Sequence, residues 1–279
     1  MSRARSVALG AARAHIELRQ LRRTPREWIT QFSTPVMFVL IASSQHSSIP
    51  NTTVSSAGLI IAGGVGWLIA LLGLTVVPQF IATERAEGTL LRLRSLPRAM
   101  LPYLISKVIY ICAIAVIGVA LTLIGGALLA STPLPPDAAH WLTVLWVGAL
   151  GLAAVVPIGV AIGAVLPNPR EALALAMLPT LALVGISGVF FPITRLPDPV
   201  QRIAEVFPLK WIAQGMRSAM LPQESVAAET AHSWQHLPTA AVLAGWAIAG
   251  FVLGPVLLMR AARQESGSRL VSRREKVGA

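Results

Sequence analysis

TERAEGTLLRLRSLP, residues 83–97, sets five charges between two apolar runs: residues 28–83 before it and 108–136 after it contain no Asp, Glu, Lys or Arg. A short island of charge between long uncharged stretches reads as a segment lying outside an apolar layer that the chain crosses on either side. The composition agrees. Of 279 residues 54% are hydrophobic and 13% charged, and the mean hydropathy is +0.68, whereas soluble domains carry about 25% charged residues. The net charge of +11 does not indicate a nucleic-acid binder, because the cations cluster between apolar runs instead of forming a continuous basic face. Cys112 is the single cysteine, so no disulfide forms within the chain. The basic N-terminus lacks the short apolar core and cleavage site of a signal peptide.

Further uncharged stretches run 138–169, 172–194 and 230–259. About 20 residues of helix cross the hydrocarbon core, so residues 28–83 are too long for one crossing, and the polar SSQHSSIPNTT at 43–53 supplies a turn. The expected fold is all-α and polytopic, with six transmembrane helices at about 28–45, 56–81, 104–131, 140–166, 172–191 and 238–259. These form a transmembrane domain over 28–260. Residues 1–27 form a cytoplasmic amphipathic helix, over about 4–27, with Val7, Ala11, Ala14, Leu18 and Leu21 on one face, lying at the membrane surface near anionic lipid. Residues 261–279 form a cytoplasmic basic tail. With the N-terminus cytoplasmic, the inside segments hold nineteen Lys and Arg and the outside segments four, the asymmetry that sets orientation. Both termini and residues 83–103 then face the cytoplasm. Trp28, Trp141 and Trp234 fall near span ends, where indoles favour the interface.

Within 83–97, Thr83 is placed to cap a helix whose first turn carries Glu84 and Glu87, matching the helix dipole. Pro97 stops it. The bland reading is a solvated loop helix that only serves topology. This stretch, followed by Lys107 as the next span begins, resembles the loop between spans two and three of ABC-2 type transporter permeases, including those of the daunorubicin/doxorubicin-resistance type. SGVFFPITRLPDPVQRIAEVFPLKWIAQGMR, residues 187–217, resembles that family's stretch after span five. Many members have an acid soon after the Gly-Thr pair, where this chain has Leu90, Leu91 and Arg92.

The resemblance implies a pathway-forming permease subunit energised by a separate ABC ATPase subunit, present in two copies, with ATP and Mg bound there and no cofactor on this chain. It implies a second permease copy or paralogue, with membrane lipid as the surroundings and no nucleic-acid partner, in the inner (plasma) membrane of a bacterium. It implies that the loop docks on the ATPase through Thr83, Glu84, Arg85, Glu87, Gly88, Thr89, Leu91 and Arg92. Phe190, Phe191, Pro192, Arg202, Glu205 and Pro208 are implied to belong to an extracellular gate. There two short helices, about 199–206 and 209–220, lie on or dip into the outer interface, and Arg202 and Glu205 are spaced to pair.

No lysine follows a glycine, so the chain has no P-loop and is not itself an enzyme. Gly159-x-x-x-Gly163 and Gly250-x-x-x-Gly254 permit close helix packing, within the chain or between chains. Pro35, Pro78, Pro157, Pro179 and Pro255 mark possible kinks. His232, His236 and Glu229 have weak metal-site spacing, and Asn51-Thr52-Thr53 is a chance-level sequon. The spans hold essentially no ionisable residue at mid-depth, which suits efflux of an amphipathic or hydrophobic drug- or antibiotic-like compound. A lipid or glycolipid cargo, an ion-coupled secondary transporter and an integral membrane enzyme are the alternatives.

Overall fold

The computed structural model describes residues 3–45, 48, 55–89, 92, 99–166, 169–254 and 256. Among them the secondary structure is helical, without a β-strand. We number the main helices α1 (Arg3–Arg23), α2 (Pro25–Ser43), α3 (Ser56–Ala86), α4 (Met100–Leu129), α5 (Ala138–Val165), α6 (Pro169–Ile186), α7 (Asp198–Val206), α8 (Pro208–Met220) and α9 (His236–Gly254).

Four of these, α3, α4, α5 and α9, are long and apolar enough to cross a membrane, and the chain is a multi-pass membrane protein. The first expected span coincides with α2, a continuous helix whose apolar character is diluted by Glu27, Gln31, Ser33, Thr34 and Pro35. The fifth coincides with α6, whose apolar part, Leu173–Ile186, is short of a full crossing. That helix stops at Ile186 instead of running on to 191, because Gly188 takes φ +61° and turns the chain. The N-terminal helix likewise ends at Arg23, four residues early. Proline disfavours helical backbone in the residue before it, and Thr24 is extended (φ −110°) with Pro25 opening α2.

The helix α3 lies at the centre. Of its most apolar 18 residues 83% are buried, against 28–33% in α4, α5 and α9. A helix apolar on every side must be enclosed, and α2, α4, α5, α6 and α8 enclose it. Near its middle, Leu72–Val76 form a π-helical turn, in which Val77 donates its N–H to the Leu72 carbonyl, five residues back. Pro78 follows, with no N–H of its own and a ring that crowds the carbonyl four residues before it; the widened turn absorbs the mismatch.

Glycines set the spacing. A Cβ on Gly159 would lie 1.9 Å from the Gly73 carbonyl oxygen, and one on Gly163 would lie 2.5 Å from that of Pro78. The backbones of α3 and α5 therefore touch. A Cβ on Gly250 would lie 2.8 Å from the Pro157 ring of α5 and one on Gly254 3.3 Å from the Pro157 carbonyl oxygen, so both small-residue motifs are used inside the chain.

Gly159→Val should lower the thermal unfolding midpoint of the detergent-solubilised protein by several degrees, since overpacking costs about 1–3 kcal/mol. Gly245→Ala, whose Cβ would meet nothing within 4 Å, should leave it unchanged. Intrinsic tryptophan fluorescence on heating checks both.

Candidate functional site

The end of the bundle where α3 finishes and α4 begins holds a compact set of charges. Glu84, in the last turn of α3, lies 2.7 Å from Lys107 Nζ and accepts from the Tyr103 hydroxyl. Lys107 also donates to both carboxylate oxygens of Glu17 on α1, at 3.1 and 3.2 Å. Arg13 donates to Glu17 at 3.1 Å, one turn away on α1, and its guanidinium stands 4.0 Å from Glu84. It also lies 5.2 Å from the centre of the Tyr103 ring, while Lys107 sits 4.0 Å from that of Phe80. Two cations and two carboxylates thus neutralise one another between α1, α3 and α4. Arg85 turns the other way and donates to the Ala164 carbonyl at the end of α5, where unpaired carbonyls favour a cation.

Backbone close packing brings these groups together. The contact face of α1 runs through Ser6, Gly10, Ala14, Glu17 and Leu21, whereas Val7 and Ala11 of the expected apolar face are exposed. A Cβ on Gly10 would come within 2.6 Å of Ile105 and 2.9 Å of the Pro102 carbonyl. Glu17 is the only acid in α1.

Thr83 does not cap a new helix. It lies inside α3, its hydroxyl donating to the Gln79 carbonyl at 2.9 Å. Helix α3 runs on through Glu84 and Arg85 and ends at Ala86; Gly88, just beyond the cap, takes a φ of +74° that suits glycine alone at low cost. Of the loop residues, Glu84 and Arg85 are buried, Glu87 and Arg92 are exposed and Thr89 is half-buried. Leu91 and residues 93–98, with Pro97, lie outside the described residues, as do Asn51–Thr53, Pro255 and residues 261–279.

The opposite end of the bundle departs further from expectation. Helices α7 and α8 start within a residue of the predicted positions, but α8 is not a surface helix. Every residue from Pro208 to Met220 is buried, packed on α3 and α5. Its polar stripe, Lys210, Gln214 and Arg217, faces the segment 229–235. Arg217 grips Glu229 with two nitrogens (Nη2 to Oε2, 3.0 Å) and donates Nη1 to the Gly188 carbonyl at 2.7 Å. Gln214 donates to the Ser233 carbonyl at 3.1 Å. Lys210 stands 3.5 Å from the centre of the Trp211 ring, 3.4 Å from Gln235 Oε1 and 3.8 Å from Glu205. Glu205 therefore faces Lys210, and its expected partner Arg202 is exposed. Burial pushes the Lys210 ammonium down to about 8, with Glu205 and Glu229 opposing the shift. The covering segment holds Ala231, His232 and Gln235 at positive φ, a conformation that persists only where surrounding contacts impose it.

Around this helix, Phe190 stacks on Phe38 with centroids 5.1 Å apart. Phe191 and Pro192 are half-buried and Pro208 is buried. A Cβ on Gly63 would lie 2.0 Å from the Val189 carbonyl, so the chain after α6 presses directly on α3. Trp234 is buried, donating to Gln223 at 2.9 Å. His236 sits edge-on to Trp146, and Glu229 is engaged by Arg217. Two apolar cavities flank the π turn. One, of about 80 Å³, is lined by Leu72, Val76, Phe80, Tyr103 and Lys107 among others; the second, of about 160 Å³, by Leu74, Pro179, Thr180 and Trp246 among others.

Sequence reasoning missed Arg13, Glu17 and Tyr103 at one end and the buried Lys210 and Arg217–Glu229 contacts at the other. One signal was available for the first group: a single carboxylate in a strongly basic helix. Residues 14–255 match the family model described as ABC-2 family transporter protein. The comparison with curated proteins finds no match.

Two outcomes follow for stability. Lys107→Met leaves Arg13 as the one cation for Glu17 and Glu84 and should cost several kcal/mol, in the range of about 3–5 for breaking a buried pair. Adding Glu84→Gln should restore part of that loss, and a double-mutant cycle measures the coupling. For Lys210, the folded state sheds its proton near pH 8 and the unfolded chain near 10.5. Between these values the unfolded state binds more protons, so stability rises with pH there. Lys210→Met should flatten that rise in unfolding midpoints taken from pH 7.5 to 10.

Proposed function

We propose, because this chain belongs to the ABC-2 family of transporter proteins, that it is the permease subunit of an exporter driven by ATP hydrolysis on a separate subunit. The family membership makes it a membrane transport component that is not itself catalytic and associates with an ABC ATPase subunit. The further reading is a dimer of six-span subunits, with α2 and α6 completing the six, and two ATPase copies carrying ATP and Mg. Nineteen of the 23 cations then lie inside, with both termini and the α3–α4 loop in the cytoplasm of a bacterial cell.

One observation carries the coupling role. The last turn of α3 is clamped by Glu84 to α1 and α4 and by Arg85 to α5, while Glu87 and Arg92, just beyond, remain exposed. In this reading Glu87, Thr89, Leu91 and Arg92 meet the ATPase. Thr83, Glu84, Arg85 and Gly88 fix the end of the lever on which they stand. Force applied at the loop reaches four helices at once, because the charges joining them are desolvated and expensive to separate.

The cargo is an amphipathic or hydrophobic compound of drug or antibiotic type. Apolar cavities flanking the π turn, with aromatic rings and one lysine at the rim of the first, favour a ligand with a large apolar body. The segment 187–192 and helices α7 and α8, with Phe190, Phe191, Pro192, Arg202, Glu205 and Pro208, form the outer gate.

Tagged protein extracted from its native membranes in mild detergent should bring down an ABC ATPase subunit. The Glu87→Arg/Arg92→Glu variant should lose at least nine-tenths of it, and Arg202→Glu, at the other end, should lose none. Wild-type protein that emerges alone would turn the reading towards ion-driven transport. An ATPase retained by the double variant would move the contact away from the α3–α4 loop.

A further inference from the structure

At the corner where α1 meets α2 and α4 there is a groove of about 390 Å³, lined by His15, Leu18, Arg19, Leu21, Arg22, Trp28, Phe32 and Ile117. Its lining is sorted by chemistry. His15, Arg19 and Arg22 follow one another at i, i+4 and i+7, so they share one face of α1. All three are exposed, and no carboxylate among the described residues pairs with any of them. That face differs from the one that carries Ala14, Glu17 and Leu21 onto α4. On the other side, Phe32 is buried and Ile117 half-buried. Ile117 lies on α4 close to Ile114 and Ala115, which form one apolar cluster with Leu21 and Phe32. Trp28 lines the same groove, its ring 4.3 Å from that of Phe32.

Two exposed guanidiniums without a carboxylate partner among the described residues, an indole and an apolar floor, all lining one groove, reproduce in complement the polarity of a single phospholipid. Guanidinium forks match phosphate oxygens, and indoles settle at headgroup depth. We propose that this groove binds one anionic phospholipid, with its phosphate held by Arg19 and Arg22 and an acyl chain laid over Phe32 and Ile117. The site is distinct from a general attraction of the basic helix to a charged surface, because it uses particular cations and a particular apolar slot. It rests on the membrane reading of the chain and not on the ATPase partner. Its consequence is regulatory. The lipid ties α1 to α2 and α4 beside Glu17, which reaches Lys107 and through it Glu84, so the composition of the leaflet acts on the joint at the end of α3.

The test uses the full-length protein in maltoside detergent, with its unfolding midpoint followed while dioleoyl-phosphatidylglycerol or dioleoyl-phosphatidylcholine is added. The anionic lipid should raise the midpoint saturably and the zwitterionic lipid should not. Arg19→Gln/Arg22→Gln should weaken the half-saturating concentration at least tenfold. Ile117→Trp, which fills the slot and keeps every charge, should do the same. Arg23→Gln/Arg26→Gln, which removes two exposed cations outside the groove, should leave it within twofold. Equal losses from the two arginine pairs would mean diffuse attraction and overturn the site. So would an undiminished response in Ile117→Trp, or an equal shift from glycerophosphoglycerol, the headgroup without its chains.

Discussion

A carboxylate cannot stand unpaired inside an apolar bundle, and the arrangement around Glu84 answers that constraint. An isolated buried charge costs far more than a domain's whole stability margin can absorb. Lys107 alone would balance the charge of Glu84 but leave Glu17 unmatched, and Arg13 completes the set. The result is that α1, α3 and α4 cannot slide past one another without separating charges in a medium that penalises separation. The α3–α5 contact is fixed differently, by backbones that touch at Gly73 and Gly159, and Arg85 closes its end on Ala164. Shape holds the middle of the bundle and charge holds its end.

Most of the helices were legible because the apolar runs are long and their interruptions short. The charge-free stretches place α3, α4, α5 and α9 within a few residues of their observed bounds. Boundaries slipped where one residue's backbone preference overrides hydropathy: Pro25 cuts α1 from α2, and Gly188 ends α6 early. The misreading of Thr83 has the same origin. A threonine ahead of two acids looks like a cap, yet hydropathy does not say that an apolar helix continues into its own charged end once neighbours supply counter-charges. The buried position of α8 was illegible for a related reason. Lys210, Gln214 and Arg217 make a short helix look like one wetted by solvent, and their partners Gly188, Glu205, Glu229, Ser233 and Gln235 come from outside it.

The two ends of the bundle therefore solve one problem with different materials. At the α3–α4 end the counter-charges come from three helices, so the contact is a joint between rigid rods. At the other end they come from a non-helical segment folded over α8, with three non-glycine residues at positive φ. Helix-borne partners keep their spacing when the rods move together, whereas partners on an irregular segment can leave with it. The second arrangement is the more easily opened, because local opening of a loop breaks fewer packed contacts than displacement of a helix.

Helix α3 connects the two. Its Gly66 approaches the backbone of Ala213 in α8, and its Gly58 approaches Leu221 just beyond, while Glu84 and Arg85 anchor its other end. A uniform α-helix clamped at both ends would carry a displacement along its length without changing shape. The π turn at Leu72–Val76 makes α3 non-uniform, and it lies between the clamps with a cavity against it on either side. Close packing leaves little room for movement elsewhere along the helix. A displacement imposed at the α3–α4 end is then taken up first where packing is incomplete, beside the cavities, before it reaches α8 and the segment that covers its charges.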